Sequence, residues 1–256
     1  MDLAAAIRVD ISSSGLLSAS LVNGLLACSI SRSRLLCVGM GGSPSTHDLF
    51  VRYPRLEAVQ DDLVRGFELL RQCLASGHKL LVCGNGGSAA DAEHIVGELM
   101  KSFAYRRPIP ATDREQLLAL CPDAGPLADA LEVGLPAVSL VSQVGLLTAY
   151  ANDVDYVFGF AQQVYGLGQP GDALIAISTS GNSSNIVQAC CVARARGIGV
   201  VGLTGQRGGR MQSFCNVTIR VPETQTHLVQ EFHLPIYHWM CLALEEHFFG
   251  QHGLKR

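Results

Sequence analysis

Short apolar runs alternate with amphipathic segments along most of the chain. The first run, 79–83, lies between glycines and is too short for a helix, so it predicts a buried strand. Before it, apolar residues in 56–76 recur at three- and four-residue steps, which is the period of an amphipathic helix. The same alternation continues towards the C-terminus. Further strands are predicted at 137–141, 172–177, 197–203 and 216–221, and further helices at 88–100, 144–150, 154–165, 185–196 and 227–249.

Strands that are apolar throughout indicate a sheet buried on both faces, which is typical of parallel strands joined through helices. The predicted fold class is therefore α/β: a three-layer αβα sandwich with a five-stranded parallel sheet and long N- and C-terminal helices. Ligands of such sheets bind beyond the carboxyl ends of the strands. The turns after the first and third strands, at 84–87 and 178–184, are therefore the candidate binding sites.

Two segments break the regular pattern. Residues 1–45 show no clear period, so a poorly structured N-terminal extension is predicted, with Met40 as an alternative start. Its apolar stretch 15–30 is interrupted by Ser and Asn, and a weak secretory signal is the other interpretation. Residues 103–135 contain four prolines and only short helical pieces, at 114–120 and 127–131. No apolar run reaches the length that a membrane helix needs.

Composition narrows the class of protein. With 48% hydrophobic and 16% charged residues, the chain has material for a large core and is not intrinsically disordered. A net charge of −3 and few aromatic residues argue against a nucleic-acid partner, and no membrane partner is expected. The nine cysteines include no CxxC pair, so reduced thiols and a cytoplasmic location are expected. Four cysteines in apolar runs are predicted to be buried: Cys83, Cys190, Cys191 and Cys241.

The turn after the first strand is rich in glycine. Residues 84–91, GNGGSAAD, join a predicted strand to a predicted helix. Glycines allow a sharp turn close to a ligand, and a helix N-terminus attracts anions. The spacing is not that of the dinucleotide-binding GxGxxG sequence, since residue 89 is Ala, and no GK[ST] follows as in a P-loop. The alternative to a ligand-binding turn is an ordinary tight turn between strand and helix.

The turn after the third strand is rich in hydroxyl groups. Residues 178–184, STSGNSS, place five of them at the start of a predicted helix. One hydroxyl is sufficient to cap a helix. Five can donate hydrogen bonds to a phosphate without the help of a lysine. The pattern therefore favours phosphate binding over helix capping alone.

Two pairs of polar residues share a helix face. His94 and Glu98 are four residues apart on one predicted helix, and Gln230 and His238 are a little over two turns apart on the last helix. These side chains can form an acid–base site or hold a divalent metal. Spacing alone leaves open a third interpretation, a solvated or hydrogen-bonded face.

Taken together, five segments resemble one known family. They are 84–103, 152–158, 177–185, 200–205 and 229–238. In this order they resemble the sugar isomerase (SIS) domain, whose fold is flavodoxin-like, and within it most closely the phosphoheptose isomerases. The resemblance leads us to expect a domain at 46–256, with an inserted loop at about 104–134.

The resemblance also implies an activity. This is an aldose–ketose isomerase reaction that interconverts D-sedoheptulose 7-phosphate and D-glycero-D-manno-heptose 7-phosphate through an enediol(ate). The product would serve the synthesis of activated heptoses for cell-surface glycans such as lipopolysaccharide. The resemblance further implies self-association as a homotetramer, with active sites between subunits.

Roles for individual residues follow from the same resemblance. Glu98 matches the general base, and His238 matches its acid–base partner. A Zn²⁺ cofactor is implied, with ligands matching His94, Glu98, Gln230 and His238. The positions implied for binding of substrate and phosphate are Asn85, Gly86, Gly87, Ser88, Asp153, Ser178, Thr179, Ser180, Ser183 and Gln230.

Three features depart from the family pattern. Ser102 and His227 stand where the family usually has Arg and often has Asp, and the segment 104–134 is long. The candidate replacements for the missing guanidinium are Lys101, Arg106 and Arg107. Two alternatives therefore stay open: an isomerase of another phosphosugar, and a non-catalytic SIS protein that binds the bacterial replication initiator. His233 is assigned to packing or a hydrogen bond rather than to catalysis.

Overall fold

The structure is a computed structural model, and it describes residues 46–250. The predicted N-terminal extension and the alternative start at Met40 lie outside the described residues. Within them, the centre of the fold is one sheet of five parallel strands in the order β2-β1-β3-β4-β5. The strands are β1 Leu80–Gly84, β2 Ala137–Ser139, β3 Ala173–Ile177, β4 Gly199–Gly205 and β5 Val217–Val221. This order is the flavodoxin-like one, and it confirms the predicted fold class.

Helices connect the strands and cover the sheet. They are α1 Thr46–Arg52, α2 Gln60–Ala75, α3 Gly87–Met100, α4 Ala111–Leu120, α5 Gly125–Ala130, α6 Val144–Asp153, α7 Gly159–Leu167, α8 Ser184–Ala195 and α9 Thr226–Phe249. Short 3-10 helices occupy Pro54–Val59, Tyr156–Phe158 and Arg210–Phe214. None of the described helices is long and apolar enough to cross a membrane.

The two faces of the sheet carry separate hydrophobic clusters, because side chains alternate along a strand. In β1, Leu80 and Val82 pack into the cluster that includes residues of α2, α3 and α9. Leu81 and Cys83 pack into the opposite cluster, which includes residues of α7 and α8. Helices therefore lie on both sides of the sheet, as the uninterrupted apolar strands predict.

The predicted helix 154–165 is wrong at its start. α6 continues to Asp153, and the backbone at Val154 leaves the helical region. The Asp155 side chain then accepts a hydrogen bond from the Val157 N–H, and this contact begins the 3-10 helix Tyr156–Phe158. The next helix, α7, begins only at Gly159. An acidic cap inside an apolar pattern therefore divides what the periodicity alone predicts as one helix.

Burial of the cysteines agrees with the sequence at three of the four positions. Cys83, Cys190 and Cys241 are buried, whereas Cys191 on α8 is half-buried, so its predicted burial is wrong. Neighbouring residues on a helix point about 100° apart, and only Cys190 faces the sheet. The seven described cysteines are all free thiols.

The segment 104–134 contains α4 and α5, close to the short helical pieces that the sequence predicts at 114–120 and 127–131. Its two ends meet in an antiparallel bridge between Pro108 and Glu132. Glu132 accepts hydrogen bonds from the backbone N–H and the hydroxyl of Ser102, at 2.8 and 2.6 Å. The segment is therefore a helical excursion whose base is closed beside the end of α3.

A buried ion pair fixes this base to α9. Arg107 Nε lies 2.8 Å from Glu245 Oε1, and both side chains are almost completely buried. The Arg107 guanidinium also donates to the carbonyls of Glu98 and Leu99, in the last turn of α3. Glu245 accepts the backbone N–H groups of residues 103 and 104. The Arg107 side chain therefore donates hydrogen bonds to carbonyls in the last turn of α3, which have no partner within the helix itself.

We expect Arg107→Ala to lower the free energy of unfolding by about 3–5 kcal/mol, because it leaves the buried Glu245 carboxylate without its partner. Urea titration followed by circular dichroism measures the change. The control is Arg114→Ala, which breaks an exposed ion pair with Asp129 and should cost no more than about 1 kcal/mol. Equal losses in the two variants would contradict the assignment of Arg107 as an anchor.

Candidate active site

A cavity of about 300 Å³ opens where the strand order reverses. β1 and β3 are neighbours, and their connections leave in opposite directions, so the turns that follow them separate and leave a crevice. Both candidate turns line it. The lining residues are Asn85, Gly86, Gly87, Ser88, Ile177, Ser178, Thr179, Ser183, Thr226 and Gln230.

The lining is polar but carries no charged side chain. The hydroxyls of Ser178 and Ser183 lie 3.2 Å apart, and the Ser178 hydroxyl also accepts the Gly181 N–H at 3.1 Å. Helices α3 and α8 both begin at this cavity, so their positive dipole ends face it. Hydroxyls and helix N-termini together can hold a dianion such as a phosphate.

Gly87 brings α9 into the cavity wall. A Cβ at this position would lie 2.5 Å from Gln230 Nε2, so the Gln230 side chain occupies the space that any other residue would fill. Gln230 is on the second turn of α9, and Gly87 is the first residue of α3. The missing side chain therefore lets an amide from the C-terminal helix reach the turn after β1.

A stripe of four polar residues runs along α3 away from this cavity. The residues are Asp91, His94, Glu98 and Lys101, at steps of three or four. Glu98 Oε1 lies 3.4 Å from His94 Nε2, and Glu98 Oε2 lies 2.6 Å from Lys101 Nζ. The carboxylate is therefore held between an imidazole and an ammonium group.

Tyr237 of α9 contacts the first two residues of this stripe, Asp91 and His94. Its hydroxyl donates to Asp91 Oδ1 at 3.2 Å and lies 3.1 Å from His94 Nδ1. Because the single hydroxyl proton is directed to Asp91, the His94 Nδ1–H must be the donor in the second contact. In the neutral ring, the lone pair of His94 Nε2 then faces the Glu98 carboxylate, and two acceptors at this distance need a proton or a cation between them.

His238 completes the cluster. Its ring centroid is 4.9 Å from that of His94 and 5.7 Å from that of Phe103, in edge-on arrangements. His238 Nε2 is buried and has no hydrogen-bond partner within residues 46–250. Burial, and after it the nearby His94, lowers the pKa of His238. Burial also raises the pKa values of Asp91 and Tyr237.

Most of the predicted binding positions lie together, and two do not. Ser180 is exposed, is absent from the cavity lining, and its hydroxyl accepts the Asn182 N–H. Asp153 is at the end of α6, where it accepts a hydrogen bond from Asn152. The remaining substrate positions line the cavity, and the predicted catalytic pair lies further along α3 and α9. The roles of all these residues stay predictions.

The three candidate replacements for the family's arginine have different positions. Lys101 contacts Glu98 directly. Arg107 is used in the buried pair with Glu245, and Arg106 is exposed. Ser102, at the position itself, is buried against Glu132. Among these three residues, Lys101 is therefore the one whose cation contacts the carboxylate of Glu98.

Sequence reasoning missed three residues at the site. They are Asp91, Tyr237 and Asn185, and the last of these pairs with Asn85 beside the cavity. A signal for Asp91 is present, since it lies three residues before His94 and so shares its face. Nothing in the sequence indicates that Tyr237 reaches α3, because this contact depends on how two distant helices pack.

A ready-made metal site is not evident in the described part of the chain. Among residues 46–250, no group of three or more His, Cys, Asp and Glu side chains is arranged to hold a metal ion. Gln230, the predicted fourth ligand, lies against Gly87, a little over two turns of α9 before His238. The Zn²⁺ prediction is thus neither confirmed nor contradicted.

The fold and the cavity at the strand reversal agree with a known class of protein. The family model described as the SIS domain matches residues 53–113 and 116–205, which is more than half of the chain. The chain therefore belongs to the SIS-domain family, and the relatives below place it among that family's phosphoheptose isomerases.

Curated relatives carry this name at substantial identity. The phosphoheptose isomerase of Nitratidesulfovibrio vulgaris is 40% identical over 194 residues, which are 76% of this chain and 81% of the relative. That of Shewanella loihica is 36% identical over 209 residues, or 80% and 93% of the two chains. Among solved structures, the phosphoheptose isomerase of Neisseria gonorrhoeae is 31% identical with a TM-score of 0.57, and covers 78% of this chain and 98% of its own. That of Francisella tularensis is 28% identical with a TM-score of 0.61, over 78% and 94%.

His233 lies in the core rather than in the site. It is completely buried in α9, and burial lowers its pKa to about 4, an effect that the nearby Thr204 backbone opposes. The folded protein therefore keeps this ring neutral at pH values where the unfolded chain protonates it. This environment agrees with the assignment of His233 to packing.

We expect acid to destabilise the protein partly through His233. Stability is lost as the pH falls from the unfolded pKa of about 6.5 towards 4, because only the unfolded state takes up the proton. At pH 5 the loss due to this residue is about 2 kcal/mol. His233→Leu should reduce the difference in unfolding free energy between pH 7.5 and pH 5 by that amount in urea titrations. The control, His227→Gln, changes an exposed residue on the same helix and should leave the difference as it is.

Proposed function

We propose that this chain is an aldose–ketose isomerase that interconverts D-sedoheptulose 7-phosphate and D-glycero-D-manno-heptose 7-phosphate. One observation carries the proposal: the phosphate cavity and the cluster of Glu98, His94 and His238 are built on the same two helices, α3 and α9. A sugar phosphate needs both parts, one to hold its charged end and one to move protons at its carbonyl end. The relatives are named phosphoheptose isomerase, which supports a seven-carbon sugar phosphate as the substrate.

Glu98 is the residue that we assign to the proton transfers between carbons. A ketose becomes an aldose when a proton leaves C1 and one returns to C2, through an enediol(ate), and a single carboxylate can perform both steps. Lys101 and His94 hold the two Glu98 oxygens in place. A fixed carboxylate loses less freedom when the substrate carbon approaches, and this lowers the cost of reaching the transition state.

His238 is the residue that we assign to the proton transfers at the sugar oxygens. Its buried Nε2 has no partner among the described residues, so it is available to exchange a proton with O1 and O2 of the sugar. Phe103 packs edge-on with this ring, with 5.7 Å between the ring centroids. Tyr237 and Asp91 act through His94, since they fix which of its nitrogens carries the proton.

We further propose Zn²⁺ as the cofactor, with His94, Glu98, Gln230 and His238 as its ligands. The donor chemistry fits: His94 Nε2 and Glu98 Oε1 face each other as two acceptors, and His238 Nε2 is buried without a partner. The contact of Tyr237 with His94 Nδ1 is also the kind of support that a metal-binding imidazole has. When bound, the ion would polarise the sugar carbonyl and stabilise the enediolate charge. It would also take the lone pair of His238 Nε2, so the proton exchange assigned to this nitrogen belongs to the site without the ion.

Homotetrameric assembly is part of the proposal. α6 is an apolar helix that buries none of its residues within the single chain. Val144, Val154 and Tyr156, in and just after it, are each more than half exposed. Covering this surface with a second copy would remove apolar area from water.

We also propose a cytoplasmic location, which the free thiols of the described cysteines support.

We expect purified protein to convert sedoheptulose 7-phosphate to heptose 7-phosphate in D₂O, as followed by NMR, and Glu98→Gln to lower the rate at least about 100-fold, because it removes the base. The matched control is Glu115→Gln on the exposed helix α4, which should keep the rate of the wild type. Conversion of other sugar phosphates but not of this one would favour an isomerase of another phosphosugar. Binding without any conversion would favour a non-catalytic SIS protein.

We expect about one Zn²⁺ per subunit after dialysis against a Zn²⁺ buffer, measured by mass spectrometry of the metal content. His94→Ala and His238→Ala should each lose most of the ion, because an imidazole ligand is removed. His227→Gln is the control and should retain it. Equal metal content in all four proteins would contradict the proposed ligand set, whatever their activities.

A further inference from the structure

Two asparagine side chains join the turns on either side of the phosphate cavity. Asn85 follows β1, and Asn185 is the second residue of α8. Asn85 Nδ2 donates to Asn185 Oδ1 at 2.8 Å, and Asn185 Nδ2 donates to Asn85 Oδ1 at 2.9 Å. The two amides thus form a closed pair of hydrogen bonds between residues that are 100 positions apart in the sequence.

The orientation of this pair is set from the Asn185 side. Asn185 Oδ1 also accepts the backbone N–H of Ile186, at 3.0 Å. A backbone N–H can only donate, so the oxygen of Asn185 must face it and cannot exchange places with the amide nitrogen. Asn85 has to match this arrangement, and its own oxygen is therefore directed to Asn185 Nδ2.

The two residues differ in their access to ligand. Asn85 lines the cavity, whereas Asn185 is not among the lining residues. Within the described chain, Asn85 makes no other side-chain hydrogen bond, so one N–H and one lone pair of its amide remain. A donor and an acceptor side by side match a hydroxyl group, which both accepts and donates. The side-chain hydroxyls on the neighbouring turn, 178–184, are those that would bind the phosphate. The Asn85 amide is then placed to bind a hydroxyl of the sugar.

We propose that Asn185 is a positioning residue, which holds the Asn85 amide in one orientation so that Asn85 can bind a hydroxyl of the sugar phosphate. This inference rests on the proposed function, since it takes a sugar phosphate as the ligand. Without Asn185, the exposed Asn85 amide would rotate about its terminal torsion, and binding would have to restrict that rotation. The pair also ties the turn after β1 to the start of α8, so the two halves of the cavity keep one separation.

A double-mutant cycle tests the proposal, with kcat and KM for sedoheptulose 7-phosphate measured for Asn85→Ala, Asn185→Ala and the double variant. We expect Asn185→Ala to lower kcat/KM by between about twofold and tenfold, the value of a lost hydrogen bond. It should change KM and kcat in the same proportion as Asn85→Ala does. In the Asn85→Ala background it should cause no further loss, because the residue through which it acts is gone.

Two further variants separate this role from helix stability. Asn185→Ser keeps a small polar side chain at the start of α8 and should lower kcat/KM as much as Asn185→Ala. Gln188→Ala removes an amide three residues later on α8 that makes no hydrogen bond within residues 46–250, and should leave kcat/KM unchanged. Thermal unfolding midpoints, measured for every variant, identify any that fail to fold.

The outcomes distinguish the two proposals. If the wild type converts the substrate and the losses of Asn85→Ala and Asn185→Ala multiply in the double variant, Asn185 has a separate role and this inference is overturned alone. If the wild type binds the sugar phosphate without converting it, the proposed function fails, and the same cycle is measured on the dissociation constant by calorimetry. If the wild type neither converts nor binds it, both proposals are overturned.

Discussion

The parallel packing of α3 and α9 is the constraint on which the site depends. Three contacts join the helices at matching levels: Gly87 with Gln230, His94 with Tyr237, and the backbone just after α3 with Glu245. Two helices that rise equally per residue and run in the same direction keep their register over this whole length. Any slip of one helix by a turn would remove the imidazole–hydroxyl contact and the buried ion pair together. The positions of the reacting groups are therefore fixed by packing at both ends of the helix pair.

This arrangement places the neutral polar groups and the charged groups of the site in two separate regions. At the N-terminal ends of α3 and α8, neutral hydroxyls and backbone dipoles face a cavity without any charged side chain in its lining. Further along α3, charged and titratable groups follow one another at helical spacing, and each has a neighbour of opposite or complementary character. In the proposed reaction, a negatively charged phosphate in this cavity would be kept apart from the Glu98 carboxylate. Two anions placed closer together would each disfavour the charged form of the other.

The sequence predicts the fold well because its two signals, apolar strands and amphipathic helices, are local. It also predicts which turns line the cavity, since parallel strands bring their carboxyl ends to one edge. It does not predict the start of α7, because Asp155 caps a short helix inside an apolar stretch. The sequence predicts that Glu98 and His238 lie on two different helices, but it does not predict that Tyr237 is part of the site. The contact of Tyr237 with His94 depends on packing between residues far apart in the chain. The pairing of Arg107 with Glu245 is hidden for the same reason.

The closed base of the segment 104–134 has a consequence for how the chain tolerates change in length. The bridge between Pro108 and Glu132 brings the two ends of the excursion together before α4 begins and after α5 ends. The entropy lost in closing such a loop grows only with the logarithm of its length, so adding or deleting residues between the ends has a small energetic cost. α4 buries none of its residues against the rest of the protein. A label, a tag or a foreign domain can therefore be inserted between the two bridge residues. Such an insertion leaves the hydrogen bonds between Arg107 and the last turn of α3 in place.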